Sequence, residues 1–243
     1  MSASLGIFDS PAESTLTSIS HPQAMEFRQS SNGWNAQSFA EEQIHNLVHQ
    51  VFYPGFPRPA HQVVFSGVQA GQKTGSLCVR IGEAIASGNS FNVCVVEADL
   101  RTRSMQVEFG GTSTDGRETP DLAGAVRMSS LQLSSHLWLV PVEVFLGKAE
   151  NAFSLSWLRS RLGALRREFD YTLIHASTFG AGAGTCLLGH LADGLVLVLE
   201  ANRTRRTTVK AIRESLKVAN VRLLGAVLSE RAFPIPEALY RRL

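Results

Sequence analysis

From residue 62 onward, short apolar segments rich in β-branched residues alternate with segments of helical periodicity. Six apolar runs are predicted strands: 62–67, 91–99, 136–142, 170–177, 194–201 and 223–229. Helices are predicted between them at about 74–87, 119–126, 154–169, 183–192 and 204–219. Several runs are apolar at every position, as in parallel strands that helices cover on both sides. The alternation therefore predicts an α/β fold: a doubly wound, mainly parallel sheet with helices on both faces and ligands at the carboxyl ends of its strands.

Composition divides the rest of the chain. Residues 1–38 are rich in Ser, Gln, Asn, Thr and Pro and have few apolar positions, so we expect a disordered N-terminal tail. A helix is predicted over 40–54 and ends at Pro54. One α/β domain is expected over 39–232, followed by a C-terminal tail at 233–243, because such folds often exceed about 200 residues as a single unit.

Charge and cysteine content exclude several classes of protein. The 243 residues carry a net charge of +2, which does not produce the basic surface that nucleic-acid binding requires. The three cysteines and seven histidines show no metal-ligand spacing, and an odd cysteine count suits a reducing compartment. No apolar run approaches the ~18 residues of a membrane span. We therefore expect a cytoplasmic protein that binds no nucleic acid and associates with a membrane only through a partner.

The segment SGVQAGQKTGSL, residues 66–77, is close to the phosphate-loop pattern G-x-x-x-x-G-K-[ST]. Gly67, Lys73 and Thr74 match the pattern, whereas Gln72 occupies the position of the second glycine. The segment follows a predicted strand and opens a predicted helix, where backbone N–H groups can point at an anion. The sequence thus predicts nucleotide phosphates held by Gly67, Gly71, Gln72, Lys73 and Thr74, with a plain strand-to-helix turn as the alternative.

Acidic residues follow the second predicted strand, in VVEADLR. At the carboxyl edge of a sheet, beside a phosphate loop, carboxylates can hold Mg²⁺ or orient a nucleophile. Asp99 is the better candidate, Glu97 could share the role, and the Thr74 hydroxyl would be a third metal ligand. The alternative for Asp99 is to cap the following turn.

Together these segments resemble the bacterial tyrosine kinases (BY-kinases) of capsule and exopolysaccharide synthesis, relatives of the MinD/ParA group of P-loop ATPases. The resemblance runs from about residue 41 to the C-terminus and follows the family's order of motifs. The matching segments are VVFSGVQAGQKTGSL, VCVVEADLRTRSM, ETPDLAGAV, FDYTLIHAST and LADGLVLVLEANRTRRTTV. The resemblance implies a P-loop NTPase fold, ATP and Mg²⁺ as cofactors, and catalytic roles for Lys73 and Asp99. It also implies a partner, the cytoplasmic segment of a membrane chain-length regulator (a polysaccharide co-polymerase).

Several positions depart from the family's motifs, and three of them bear on the nucleotide and the metal. Gln72 replaces the glycine beside the lysine, and its side chain would crowd the loop unless φ stays negative. Glu97 replaces the first aspartate of a D-x-D pair, and His175 replaces the aspartate of the strand motif in FDYTLIHAST. An imidazole cannot supply the lost negative charge beside Mg²⁺. Because phosphoryl transfer depends on charge placed around the metal, we expect impaired catalysis.

Two further family features are missing. BY-kinases carry E-x-x-R-x-x-R in the upstream helix for self-association, whereas here Glu42 is followed by His45 and Val48. The family's autokinases end in a tyrosine cluster, whereas Tyr240 is the only tyrosine near the end of this chain. We expect any homo-oligomer to form without those arginines, and Tyr240 to pack or dock rather than accept phosphate.

Three functions are left open by these patterns. The first is a BY-kinase-like cytoplasmic protein of polysaccharide synthesis or export, with a degenerate catalytic site and weak ATP binding or none, which acts through the membrane regulator. The second is an active ATP-dependent protein-tyrosine autokinase in which Lys73, Thr74 and Asp99 suffice. The third is a MinD/ParA-like positioning ATPase, which is disfavoured because Val68 stands where that group has an additional lysine.

Overall fold

The computed structural model describes residues 4–6, 36–53, 59–69, 73–99, 125–147, 154–180 and 184–230. The strands in these ranges are β1 (Ser4–Gly6), β2 (Gln62–Gly67), β3 (Val93–Ala98), β4 (Leu131–Ser134), β5 (Leu137–Val140), β6 (Tyr171–Ala176), β7 (Gly194–Glu200) and β8 (Leu223–Ser229). The helices are α1 (Ala36–Val51), α2 (Thr74–Asn89), α3 (Ala125–Met128), α4 (Val142–Leu146), α5 (Leu155–Glu168), α6 (Gly184–Leu191) and α7 (Arg206–Val218).

The eight strands form one sheet in the order β1-β8-β7-β2-β6-β3-β5-β4. The six inner strands are parallel to one another, and the two edge strands, β1 and β4, are antiparallel to their neighbours. From β2 the chain passes through α2 to β3, beyond β6, whereas from β6 it passes through α6 to β7, beyond β2. Connections that leave neighbouring strands in opposite directions open a crevice at their carboxyl ends, which is where ligands bind in such sheets.

Successive residues of each inner strand pack into different cores. On β2, Val63 and Phe65 belong to the core beneath α1 and α2, together with Val95 of β3. The intervening Val64 and, on β3, Val96 belong to the core beneath α3 to α7. This alternation is the period of a strand with both faces buried. The predicted doubly wound α/β sheet with helices on both faces is therefore confirmed.

Helix α2 lies close to the sheet because residue 82 has no side chain. A Cβ atom on Gly82 would stand 2.8 Å from Leu137 Cδ1 and 3.2 Å from Val95 Cγ2. Both neighbours are fully buried, so neither can move aside without opening the core. This packing fixes the helix whose first turn lies at the carboxyl edge of β2.

The structure corrects the sequence predictions at the edges of the domain. Ser4–Gly6 were predicted to be disordered, yet they pair with β8, with Ser4 opposite Leu228. Strand pairing needs only backbone groups on an open edge, which composition does not reveal. Helix α1 begins at Ala36, inside the predicted tail. The remaining parts of both predicted tails lie outside the described residues, so the boundaries of the 39–232 domain stay predictions.

Internal elements also differ from the predictions, and helix α4 (Val142–Leu146) is one that was not predicted. Strand β4 was not predicted. Its Leu131 and Leu133 are half-buried while Gln132 and Ser134 are exposed, and this alternation is typical of an edge strand with one covered face. Of the helix predicted at 119–126, the described part begins at Ala125 and runs to Met128.

Within the described ranges, no helix combines the length and the apolar character needed to cross a membrane.

Candidate functional site

The turn from β2 to α2 lies at the carboxyl edge of the sheet, between β7 and β6. Beyond the end of β2, the Val68 N–H still donates to the Val198 carbonyl, 3.1 Å away. Lys73 occupies the N-cap of α2 with an exposed side chain, and Thr74 begins the helix with 2% of its surface exposed. No acidic residue lies in the first turn of α2. The strand–loop–helix arrangement that presents an anion site is therefore present.

Residues 70–72 of this loop lie outside the described residues. The predicted phosphate contacts of Gly71 and Gln72 therefore stay predictions, whereas Gly67, Lys73 and Thr74 can be placed. Gly67 ends β2, and its carbonyl accepts a hydrogen bond from the Phe179 N–H at 2.8 Å. This bond ties the start of the loop to the segment after β6.

Asp99 follows β3 directly and is 4% exposed. Its Oδ1 accepts a hydrogen bond from the Ser177 hydroxyl, which follows β6, at 2.6 Å. A short bond to a carboxylate of this kind contributes about 1.5–3 kcal/mol. Asp99 is thus held by the neighbouring strand end, and the turn that it would cap in the alternative interpretation lies outside the described residues.

The Ser177 carbonyl joins two more elements to this edge. It accepts hydrogen bonds from the Ser66 hydroxyl of β2 at 2.8 Å and from the Thr185 hydroxyl of α6 at 3.0 Å. Sequence reasoning missed these three hydroxyl residues. Only their position in the sequence could have indicated a role, because polar residues stand there at the ends of buried strands. Ser177, for example, lies two places after His175 in FDYTLIHAST.

Glu97 and His175 lie side by side on neighbouring strands. The parallel register of β3 and β6 pairs Glu97 with His175, and on its other side β6 pairs His175 with Phe65. Since alternate residues of a strand share a face, all three side chains lie on the face that α1 and α2 cover. Glu97 is 0% exposed and His175 is 6% exposed. The two strands stand about 4.8 Å apart, the ordinary spacing in a sheet.

The metal roles predicted for Thr74, Asp99 and Glu97 stay predictions. In the part of the chain that the structure describes, no group of three or more His, Cys, Asp or Glu side chains could hold a metal ion. Mg²⁺ requires oxygen ligands in nearly octahedral geometry, and the imidazole of His175 stands among the side chains expected around it. Lys73 at the start of α2 and the carboxylates of Glu97 and Asp99 lie at the same carboxyl edge of the sheet.

A concavity at the opposite edge of the sheet is separate from this site. It encloses about 340 Å³ and is lined by His61, Phe91, Arg166, Phe169, Asp170 and Tyr171. The His61 and Tyr171 rings stack with centroids 5.4 Å apart. Because these residues precede or begin their strands, the concavity lies at the amino ends, away from the loop.

Comparison with known proteins agrees with the fold. No protein-family model matches the chain. The chain is 20% identical over 171 residues to the tyrosine-protein kinase CpsD of Streptococcus agalactiae. The aligned region covers 69% of this chain and 73% of that relative. It superimposes on the kinase domain of the Escherichia coli tyrosine kinase ETK with a TM-score of 0.62 at 15% identity, over 81% of this chain and 79% of that one.

The fold is shared more widely. The MinC:MinD cell division protein complex of Aquifex aeolicus matches with a TM-score of 0.54 at 16% identity, over 68% of this chain and 66% of that one. The chain therefore has the fold of these solved structures, and the predicted resemblance to BY-kinases is confirmed by relatives named as tyrosine-protein kinases. In sequence the chain is similar to the bacterial tyrosine kinases, and it has the fold that they share with the MinD-type ATPases.

Proposed function

We propose that this chain is a BY-kinase-like cytoplasmic protein of capsule or exopolysaccharide synthesis or export that binds ATP weakly and has a degenerate site for phosphoryl transfer. One contrast at the carboxyl edge of the sheet carries the proposal. Lys73 stands at the start of α2 as a phosphate ligand requires, whereas Glu97 and His175 occupy positions where the resemblance implies two aspartates. Similarity to tyrosine-protein kinases supports the general class.

Nucleotide binding would use the turn before α2. Backbone N–H groups at a helix start favour anions, and the exposed ammonium of Lys73 would contact the β- and γ-phosphates. Gly67, Gly71 and Gln72 would form the wall of the loop. The Thr74 hydroxyl, buried at the helix start, would lie next to the phosphates.

Phosphoryl transfer would need Mg²⁺ to neutralise the developing charge. Thr74, Asp99 and Glu97 are the oxygen donors that would hold it. Asp99 accepts a hydrogen bond from the Ser177 hydroxyl through its Oδ1, which places the carboxylate at the end of β6. Glu97 is fully buried beside an imidazole, which opposes a cation there. Losing the negative charge at position 175 beside the metal lowers the rate of transfer by orders of magnitude.

Lys73 and Asp99 would therefore serve as binding and orienting groups, with the catalytic roles that the resemblance implies greatly weakened. In this proposal the protein acts through the cytoplasmic segment of a membrane chain-length regulator, which would also bring it to the membrane. Self-association through α1 would lack the family's arginines: Val48 lies in the core beneath α1, where a charged contact could not reach a partner.

An active protein-tyrosine autokinase is the second candidate, and the Ser177–Asp99 hydrogen bond favours it. That bond places one buried carboxylate beside the loop with a fixed orientation. The MinD/ParA-like positioning ATPase has support from the shared fold alone, since the sequence relatives are named as kinases.

Two assays on purified protein separate these candidates. Calorimetric titration with ATP and Mg²⁺ measures binding, and incubation with ATP followed by phosphotyrosine detection measures transfer. We expect weak binding and no phosphotyrosine. Robust autophosphorylation that disappears in Lys73→Ala would establish the autokinase and end the proposal of a degenerate site.

A further inference from the structure

The helices on the two faces of the sheet carry opposite charge. Helices α3 to α7, which cover one face, contain nine Lys or Arg and three Glu. Helices α1 and α2, which cover the other face, contain one Arg and three Glu. The whole chain has a net charge of only +2, yet one helix layer carries +6 and the other carries −2.

The positive charge of the first layer lies on α5 and α7 and is open to solvent. The exposed cations of these two helices are Arg159, Arg166, Arg167, Arg206, Lys210 and Lys217. On α7 the cations at 206, 210, 213 and 217 follow at spacings of four, three and four residues, which places them along one flank of the helix. Glu214 pairs with Lys217 at 3.3 Å, but within the described ranges no carboxylate pairs with Arg206 or Lys210. This flank therefore keeps an excess of positive charge.

Large apolar side chains protrude from the same layer. Among the described residues, those that are well exposed are Met128 of α3 at 81%, Leu155 of α5 at 46% and Val218 of α7 at 90%. The headgroup region of a bilayer accepts Lys and Arg together with apolar side chains. A nucleic acid presents mostly phosphate to a basic helix, which gives such apolar side chains no favourable contact. Charge and exposure together thus favour a membrane over a nucleic acid.

We infer that the layer formed by α3 to α7 is a membrane-contact surface. The cations of α5 and α7 bind anionic phospholipid headgroups, while Met128, Leu155 and Val218 enter the headgroup region. The contact is peripheral and chiefly electrostatic, because the apolar faces of these helices are already buried in the core. The acidic layer of α1 and α2 then faces away from the bilayer. This inference goes beyond the proposed function, since it requires neither ATP nor the membrane regulator.

Sedimentation of the full chain with lipid vesicles, without nucleotide, tests this surface. We expect binding to vesicles that contain phosphatidylglycerol, no binding to vesicles of phosphatidylcholine alone, and loss of binding in about 0.5 M NaCl, where the screening length is about 4 Å. Arg206→Gln/Lys210→Gln should lower the partition coefficient about 25-fold, since each cation near an anionic surface contributes about fivefold. The matched control is Asn46→Asp/Ser87→Asp, which changes the net charge equally at exposed positions of α1 and α2. This control should lose less than about twofold.

Two results would overturn the role of charge on this layer. One is equal binding to the two kinds of vesicle, or no binding to either. The other is an equal loss of binding in Arg206→Gln/Lys210→Gln and in the control on α1 and α2, which would show that net charge matters and its position does not.

Met128→Ser/Val218→Ser separates a membrane from a nucleic acid. Both side chains are exposed, so the variant should fold, and its partition onto phosphatidylglycerol vesicles should fall about fivefold or more. An unchanged partition, or tighter binding of wild type to duplex DNA than to these vesicles at the same salt concentration, would overturn the membrane as the occupant. Because no nucleotide is present, none of these results bears on ATP binding or phosphoryl transfer, which the assays of the proposed function judge separately.

Discussion

Two sides of one crevice match the site that the resemblance implies to different degrees. The side formed by β2 and α2 keeps a lysine at the helix start, a buried threonine and a strand–loop–helix course, all suited to phosphate. The side formed by the ends of β3 and β6 has an imidazole beside a glutamate, together with an aspartate held by a serine. The phosphate side depends largely on backbone geometry, whereas the metal side depends on the charges of individual side chains. A chain can therefore lose metal chemistry by few substitutions while keeping the anion site.

Lys73→Ala should give the largest effect on the phosphate side. Removing a charged hydrogen-bond donor from a phosphate contact costs about 2–3 kcal/mol, which lowers ATP affinity by about 30- to 150-fold. Calorimetry measures the change, and Lys210→Ala on the exposed surface of α7 is the control. An unchanged affinity in Lys73→Ala would show that the loop no longer serves a nucleotide.

Asp99→Ala tests the metal side in the same assay. If the metal side contributes little to binding, ATP affinity should fall by less than about threefold, well below the loss in Lys73→Ala. Asp99→Asn is the matched variant, because it keeps the volume and can still accept the Ser177 hydrogen bond. If either Asp99 variant loses as much ATP affinity as Lys73→Ala does, Asp99 belongs to a working metal site. The proposed difference between the two sides of the crevice would then be gone.

Ser177→Ala sharpens the description of the metal side. The Asp99 carboxylate loses its donor, so we expect the free energy of unfolding to fall by about 1–2 kcal/mol. Urea denaturation measures this, with the neighbouring Thr178→Ala as control. No loss of stability in Ser177→Ala would mean that Asp99 is not held by this hydroxyl in solution.

The smallest expected effect concerns cysteine reactivity on the two sides. Full burial raises the pKa of Cys78 on α2, and it raises the pKa of Cys94 on β3 to about 12. Cys186 on α6 is only half-buried, and this partial burial also raises its pKa. A raised pKa favours the thiol, so neither buried residue forms appreciable thiolate between pH 7 and 9. Mass spectrometry after alkylation should find Cys186 modified first, and faster at pH 9 than at pH 7. Early modification of Cys78 would indicate that α2 opens locally.

The sequence predicted the sheet well because its inner strands are apolar on both faces and separated by helical periodicity. It missed β1, whose Ser4–Gly6 have no strand pattern and are held by the open edge of β8. It also missed the hydroxyl network around Ser177, because the contacts among Ser66, Ser177 and Thr185 depend on which strands are neighbours. The register of Glu97 with His175 is another such tertiary fact, although both residues were marked as unusual by their motifs.

In our proposal the phosphate side persists while the metal side no longer supports transfer. Phosphotyrosine formation by purified protein with ATP and Mg²⁺, repeated after chelation of the metal, tests both halves of this contrast. We expect no detectable transfer in either condition, alongside ATP binding that depends on Lys73. Brisk transfer that requires the divalent ion, stops on chelation and is lost in Lys73→Ala would contradict it.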